Sequence, residues 1–167
     1  MSNVGIVKKS PKNYQTTEGK PLMVVNEKEV NYSYSFNDTI AYTPRSAQNL
    51  IQQSRQGLPI FRIEIYMNKY GLTLKEIATI LNLSERTLQR YESTDLLSKE
   101  ASDRALHLQR LYERGEEVFG SLEKFKGWMK SPILVLNNDK PISFLDTIFG
   151  FELIEQELGR IEHGVFA

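Results

Sequence analysis

The chain has 167 residues, 40% apolar and 25% charged, which suits one ordinary globular domain or two small ones. It has no cysteine, so disulfides, thiolate metal sites and a cysteine nucleophile are excluded, and no apolar run approaches the roughly 18–20 residues of a membrane span. The 21 basic and 21 acidic side chains cancel but are unevenly spread: residues 1–96 hold 12 and 9, residues 97–167 hold 9 and 12, so the front half suits phosphate and the back half a basic partner.

Residues 1–42 read as an N-terminal arm. The start, "MSNVGIVKKSPKNYQ", lacks a signal-peptide core, so a cytoplasmic location is expected. "KKSPKNYQTTEGKP" is polar and turn-rich. In "VNYSYSFND", Val30, Tyr32, Tyr34 and Phe36 alternate with Asn31, Ser33 and Ser35, a strand-like period. Two readings stand for the arm: short strands, paired internally or with another copy, or a disordered segment.

From Thr43 the pattern becomes helical. Thr43 suits an N-cap, Pro44 a first helical position and Gly57 a stop. "LPIFRIEIYMNKYG" is dense in apolar residues and competes between strand and helix; a helix is expected, as scaffold for the segment after it. "LTLKEIATILNLSERTLQRYE", residues 72–92, has the spacing of a helix-turn-helix. Ile77 and Ala78 belong to its first helix, Asn82 tolerates the left-handed turn, and Leu81, Leu83 and Leu88 join the two helices. Ser84 caps the second helix. Glu85, Arg86, Gln89 and Arg90 are expected to project outward, where arginine bonds guanine twice and glutamine does the same to adenine. Ser84 and Thr87 suit phosphate contacts. The plainer reading of this surface is a solvated helix face.

"SKEASDRALHLQRLYERGEEVFG" predicts a long helix capped by Ser98 and closed by Gly120, with Ala101, Ala105, Leu108, Leu111, Tyr112 and Val118 inward. Glu113, Glu116 and Glu117 read as a solvated face paired with Arg110 and Arg114. "SLEKFKGWMKSP" predicts a shorter helix with Leu122, Phe125, Trp128 and Met129 on one side. After the "NNDKP" loop, "PISFLDTIFG" and "FELIEQELGRIEHG" predict two further helices split near Gly150. The last stretch, "LGRIEHGVFA", puts charge beside apolar bulk at a chain end, where structure usually frays. Leu158 and Ile161 suit packing of the last turn, which would leave Arg160 and Glu162 solvated. His163 has no second histidine for a metal and no nearby serine for a triad, His107 reads as a surface or boundary residue, and there is no phosphate-binding glycine loop. No catalytic residue, metal or cofactor is expected.

At this point the chain resembles the antitoxins of Xre/MbcA/ParS type, the partners of RES-domain toxins. The resemblance rests on the order and spacing of "GLTLKEIATILNLSERTLQRY", "VFG" followed by "GWM", "PISFLDT" and "LGRIEHG", across roughly residues 58–165. "ILVLNNDKP" departs from the family's glycine-containing loop, and Asn137 and Asn138 are expected to supply the left-handed turn instead. The resemblance implies an all-α fold, with an Xre-like helix-turn-helix region (43–96) followed by a small helical toxin-binding domain (97–167). It implies that the chain is an antitoxin, not an enzyme: it binds operator DNA through Ser84, Glu85, Arg86, Thr87, Gln89 and Arg90, with a homodimer expected inside a hetero-oligomeric complex. It further implies that the tail enters the active site of an NAD-degrading RES toxin. There Glu162 takes phosphate-binding donors, Arg160 pairs with an acceptor, His163, Val165 and Phe166 supply apolar contact, and Gly164 lets the chain turn. A helix-turn-helix regulator without a toxin is the alternative.

Overall fold

Five of the seven α-helices among the described residues start on a hydroxyl. In the computed structural model, which describes residues 44–164, the elements are α1 (Pro44–Gln56), α2 (Ile60–Tyr70), α3 (Leu74–Leu81), α4 (Glu85–Arg90), α5 (Lys99–Phe119), α6 (Leu122–Lys130) and α7 (Ile148–Glu162). Short 3-10 turns lie at Leu134–Leu136 and Pro141–Phe144. Thr73, Ser84, Ser98, Ser121 and Thr147 each accept the backbone N–H three residues on, opening α3 to α7. Such a cap is worth about 1 kcal/mol. The described residues contain no strand, as an all-α fold requires, and only two isolated bridges. The expectations about residues 1–42, Thr43, Val165 and Phe166 lie outside the described residues.

The ambiguous segment before the helix-turn-helix is helical. Ile60, Ile63, Tyr66 and Tyr70 recur at three- and four-residue steps and are buried. α2 begins after Pro59 with no side-chain cap. Its first donors go to the loop after α4 instead: Ile60 N–H to Asp95 O at 2.9 Å and Phe61 N–H to Ser93 O at 3.0 Å. Leu97 N–H donates back to Leu58 O at 2.9 Å. The loop thereby replaces the missing cap and fixes where the chain goes after the second helix of the motif.

α5 is the central helix, packing against α1, α2, α3, α6 and α7. One hydrophobic core runs from Leu58 to Leu158 along it. Inside it Tyr70 stacks on Tyr112 at 4.2 Å, and Tyr112 meets the edge of Phe125 at 5.1 Å. Gly115 makes that approach possible, because a Cβ there would lie 2.4 Å from the Phe125 ring. Phe125 and Met129 are fully buried, as their spacing predicts; Leu122, Trp128 and Val118 are only partly so.

Two local readings change. The last two helices do not split at Gly150. A 3-10 turn over Pro141–Phe144 precedes a single α7, which Thr147 opens and which runs through Gly150. A Cβ at Gly150 would lie 1.6 Å from Phe144 O, so this glycine serves close packing against the turn, not a break. Arg114 does not serve the acidic face of its own helix: it reaches Glu162 on α7 at 3.1 Å. Asn137 and Asn138 adopt left-handed φ of 56° and 63°, as their residue type suggests.

Candidate functional site

The helix-turn-helix is built from α3, Asn82 and α4. Thr73 and Glu76 close a capping box at the start of α3: Thr73 N–H donates to Glu76 Oε2 at 2.7 Å, and Glu76 N–H to Thr73 Oγ1 at 3.2 Å. Asn82 turns the chain at φ 56° and ψ 43°, the left-handed conformation asparagine tolerates. Leu81 and Leu88 are buried and Leu83 is partly buried, so the apolar side of the pair is spent on the core. Ser84, Glu85, Arg86, Thr87, Gln89 and Arg90 are all exposed on α4. Arg86 and Arg90, one helical turn apart, have no ion pair with any described residue. The Ser84 and Thr87 hydroxyls bond each other at 2.7 Å, which commits one of their two protons to the cap.

The polar tail residues gather at the end of α7. Leu158 and Ile154 anchor that turn, both fully buried. Arg160 pairs with Glu157 at 2.8 Å and Glu162 accepts from Arg114 at 3.1 Å, so both already have partners in the folded chain. His163 ends the helix and is exposed, and Gly164 follows at φ 66°. The residues expected to face DNA thus sit at α4, and the described tail residues at the end of α7.

Three features escaped the sequence reading. Arg104 on α5 donates to Ile80 O at 3.2 Å and to Asp146 O at 2.9 Å, tying the end of α3 to the turn before α7. Arg62 donates to Gln53 at 2.9 Å, to Tyr66 at 2.9 Å and to Gln109 at 3.1 Å, and Gln109 donates on to Glu113 at 2.7 Å. Burial holds the Glu113 carboxyl above the usual carboxylate range, and it pushes the Tyr66 phenol up to about 12. Ile148 and Phe149 are large, apolar and exposed at the start of α7. Their signal was available: Ile148, Phe149, Phe151, Leu153 and Ile154 are too many closely spaced apolar residues for one helix face. His107 is where a boundary residue is expected, half-exposed and 3.9 Å from Asp103.

No helix among the described residues is long and apolar enough to cross a membrane. None of their His, Asp and Glu side chains form a group of three or more suited to a metal ion.

Two family profiles match the chain. "Antitoxin Xre-like helix-turn-helix domain" covers residues 50–110, and "Antitoxin Xre/MbcA/ParS C-terminal toxin-binding domain" covers residues 114–164. The first ends and the second begins inside α5. The chain is 33% identical to an Antitoxin Xre of Yersinia enterocolitica over 71% of its own length and 81% of the relative's. It is 27% identical to an Antitoxin Xre of Photorhabdus laumondii over 76% and 87%. It is 30% identical to a "Prs ADP-ribosylating antitoxin" of a Sphingobium strain over 68% and 77%.

Proposed function

The chain belongs to the Xre/MbcA/ParS antitoxin family, and on that premise we propose that it silences a RES-domain, NAD-degrading toxin by placing its C-terminal tail in the toxin's active-site cleft. Toxin binding is assigned to residues 97–167 and operator reading to residues 43–96, behind an arm of residues 1–42. The observation that carries this reading is the joining of a helix-turn-helix match and a toxin-binding match in one chain. The Sphingobium relative's name refers to ADP-ribosylation, a chemistry that consumes NAD, and so favours a partner of that class.

α7 sets how the tail works. A dinucleotide cleft holds donors for phosphate, and the tail offers the Glu162 carboxylate to them and the Arg160 fork to an acceptor. Each must exchange an internal partner, Arg114 or Glu157, for one in the toxin. The exposed Arg114–Glu162 pair is worth about 0–1 kcal/mol, so Glu162 exchanges at little cost, whereas Arg160 leaves the buried Glu157 carboxylate without its partner and its exchange costs more. Gly164 turns the chain off the helix, and Val165 and Phe166 enter beyond it. Occlusion of this kind asks no chemistry of the antitoxin, which acts as an inhibitor and not as an enzyme, in the cytoplasm, as a homodimer within the toxin complex. On α4, Arg86 and Arg90 read bases or phosphate of the chain's own operator, with Gln89 and Glu85 beside them and Ser84 and Thr87 on the backbone.

Deleting residues 163–167 and replacing Arg160 and Glu162 with alanine removes every residue assigned to the plug and keeps the span of α7, which ends at Glu162. Co-expressed with the RES toxin encoded beside it, the truncated chain should fail to restore growth and intracellular NAD. Full protection by the truncated chain would refute the plug.

A further inference from the structure

The start of α7 displays apolar surface that the fold does not use. Phe151 and Ile154 enter the core, while the preceding Ile148 and Phe149 are 62% and 80% exposed. Their placement is rigid. Thr147 caps the helix directly before them, and Gly150 directly after them lies against the Phe144 backbone. Three- and four-residue steps carry the same face from Phe149 through Glu152 and Gln156 to Arg160 and His163, all exposed. At 1.5 Å per residue that stripe is about 20 Å long, and it ends where the tail leaves the helix. Asp146 and Glu152 flank the apolar pair, and neither has an ion pair with any described residue. Asp146 is held in place through its carbonyl, by Arg104 at 2.9 Å.

We propose that this face of α7 is the docking surface for the toxin, with Ile148 and Phe149 as an apolar anchor seated beside the cleft that the tail fills. The proposal rests on the toxin-binding reading above and adds where the two bodies meet. The matched toxin-binding region contains the face. Its charge selects the occupant. A cleft that holds a dinucleotide gathers cations at its mouth, and these complement Asp146 and Glu152. A second copy of this chain on the same patch would bring the same carboxylates toward each other across a two-fold axis. Aromatic anchors in desolvated pockets carry a large share of interface affinity, while the rim charges act on association rate.

The test uses the full chain and the RES toxin carrying an inactivating substitution, with affinity read by titration calorimetry. The double variant Ile148→Ser, Phe149→Ser should bind at least roughly 30-fold more weakly, with unchanged helicity, elution volume and operator binding. Glu152→Lys, a second variant that leaves the anchor in place, should slow association at low salt, the effect fading as salt rises. Unchanged affinity in the double variant would overturn the proposal. So would a double variant that still binds toxin but has lost self-association, which would give the patch to a second copy. The plug variant reads separately: if it still silences the toxin, the plug fails, while the anchor stands or falls on the affinity of the double variant.

Discussion

Three glycines in helices grade the packing around α5, and alanine at each should rank in a fixed order. Gly127 on α6 has open space where a Cβ would go. Gly127→Ala therefore gains helix propensity alone, up to about 1 kcal/mol. At Gly115 the new Cβ would sit 2.4–2.5 Å from three atoms of the Phe125 ring. Ordinary contact lies near 3.5–4.0 Å, so the ring must retreat by about 1 Å. It is boxed in by Tyr112 at 5.1 Å, Phe119 at 5.7 Å and Trp128 at 5.8 Å. Overpacking of this size costs about 1–3 kcal/mol, against the same propensity gain. At Gly150 the obstacle is backbone: Phe144 O at 1.6 Å and its carbonyl carbon at 2.5 Å. Neither can rotate away, so the turn and α7 must part, for about 3 kcal/mol or more. Urea melts followed by helical circular dichroism should rank Gly127→Ala above the unchanged chain, then Gly115→Ala, then Gly150→Ala. A Gly150→Ala chain as stable as the parent would refute the close approach of the turn to α7, and with it the rigid display of Ile148 and Phe149.

The remaining predictions concern DNA and pH. Arg86→Ala with Arg90→Ala should abolish the gel shift of the gene's own upstream DNA and leave toxin affinity unchanged; loss of both together would show that the two roles are not separable by residue. Each arginine that contacts phosphate should also lower the slope of log affinity against log salt by about 0.9. Glu113 favours its protonated form in the fold, so its carboxylate costs stability above its folded pKa and that cost fades as pH falls through it. Glu113→Gln keeps an acceptor for Gln109, and should raise the melting temperature at pH 7–8 by more than at pH 4. An equal gain at both pH values would contradict the burial argument.

Much of this architecture is legible in the residues because its signals are local. Ser84, Ser98 and Asn82 declare helix starts and a turn through their own side chains, and they stand where those side chains require. The long amphipathic period of α5 is unambiguous for the same reason. Gly150 misleads because glycine has two uses, turning a chain and letting another chain approach, and only the position of Phe144 O decides between them. Arg114 misleads because local pairing partners are visible in sequence while Glu162, 48 residues away, is not. The exposed face of α4 follows from Leu88 being the buried residue of that helix. The network around Arg62 joins α1, α2 and α5, and no spacing rule announces contacts of that range.

The central position of α5 couples the stability of the two matched regions. Both family matches meet within that rod, and α1, α2, α3, α6 and α7 all lean on it. A break in that rod would unseat the helix-turn-helix and the toxin-binding region together, because neither keeps its packing without it.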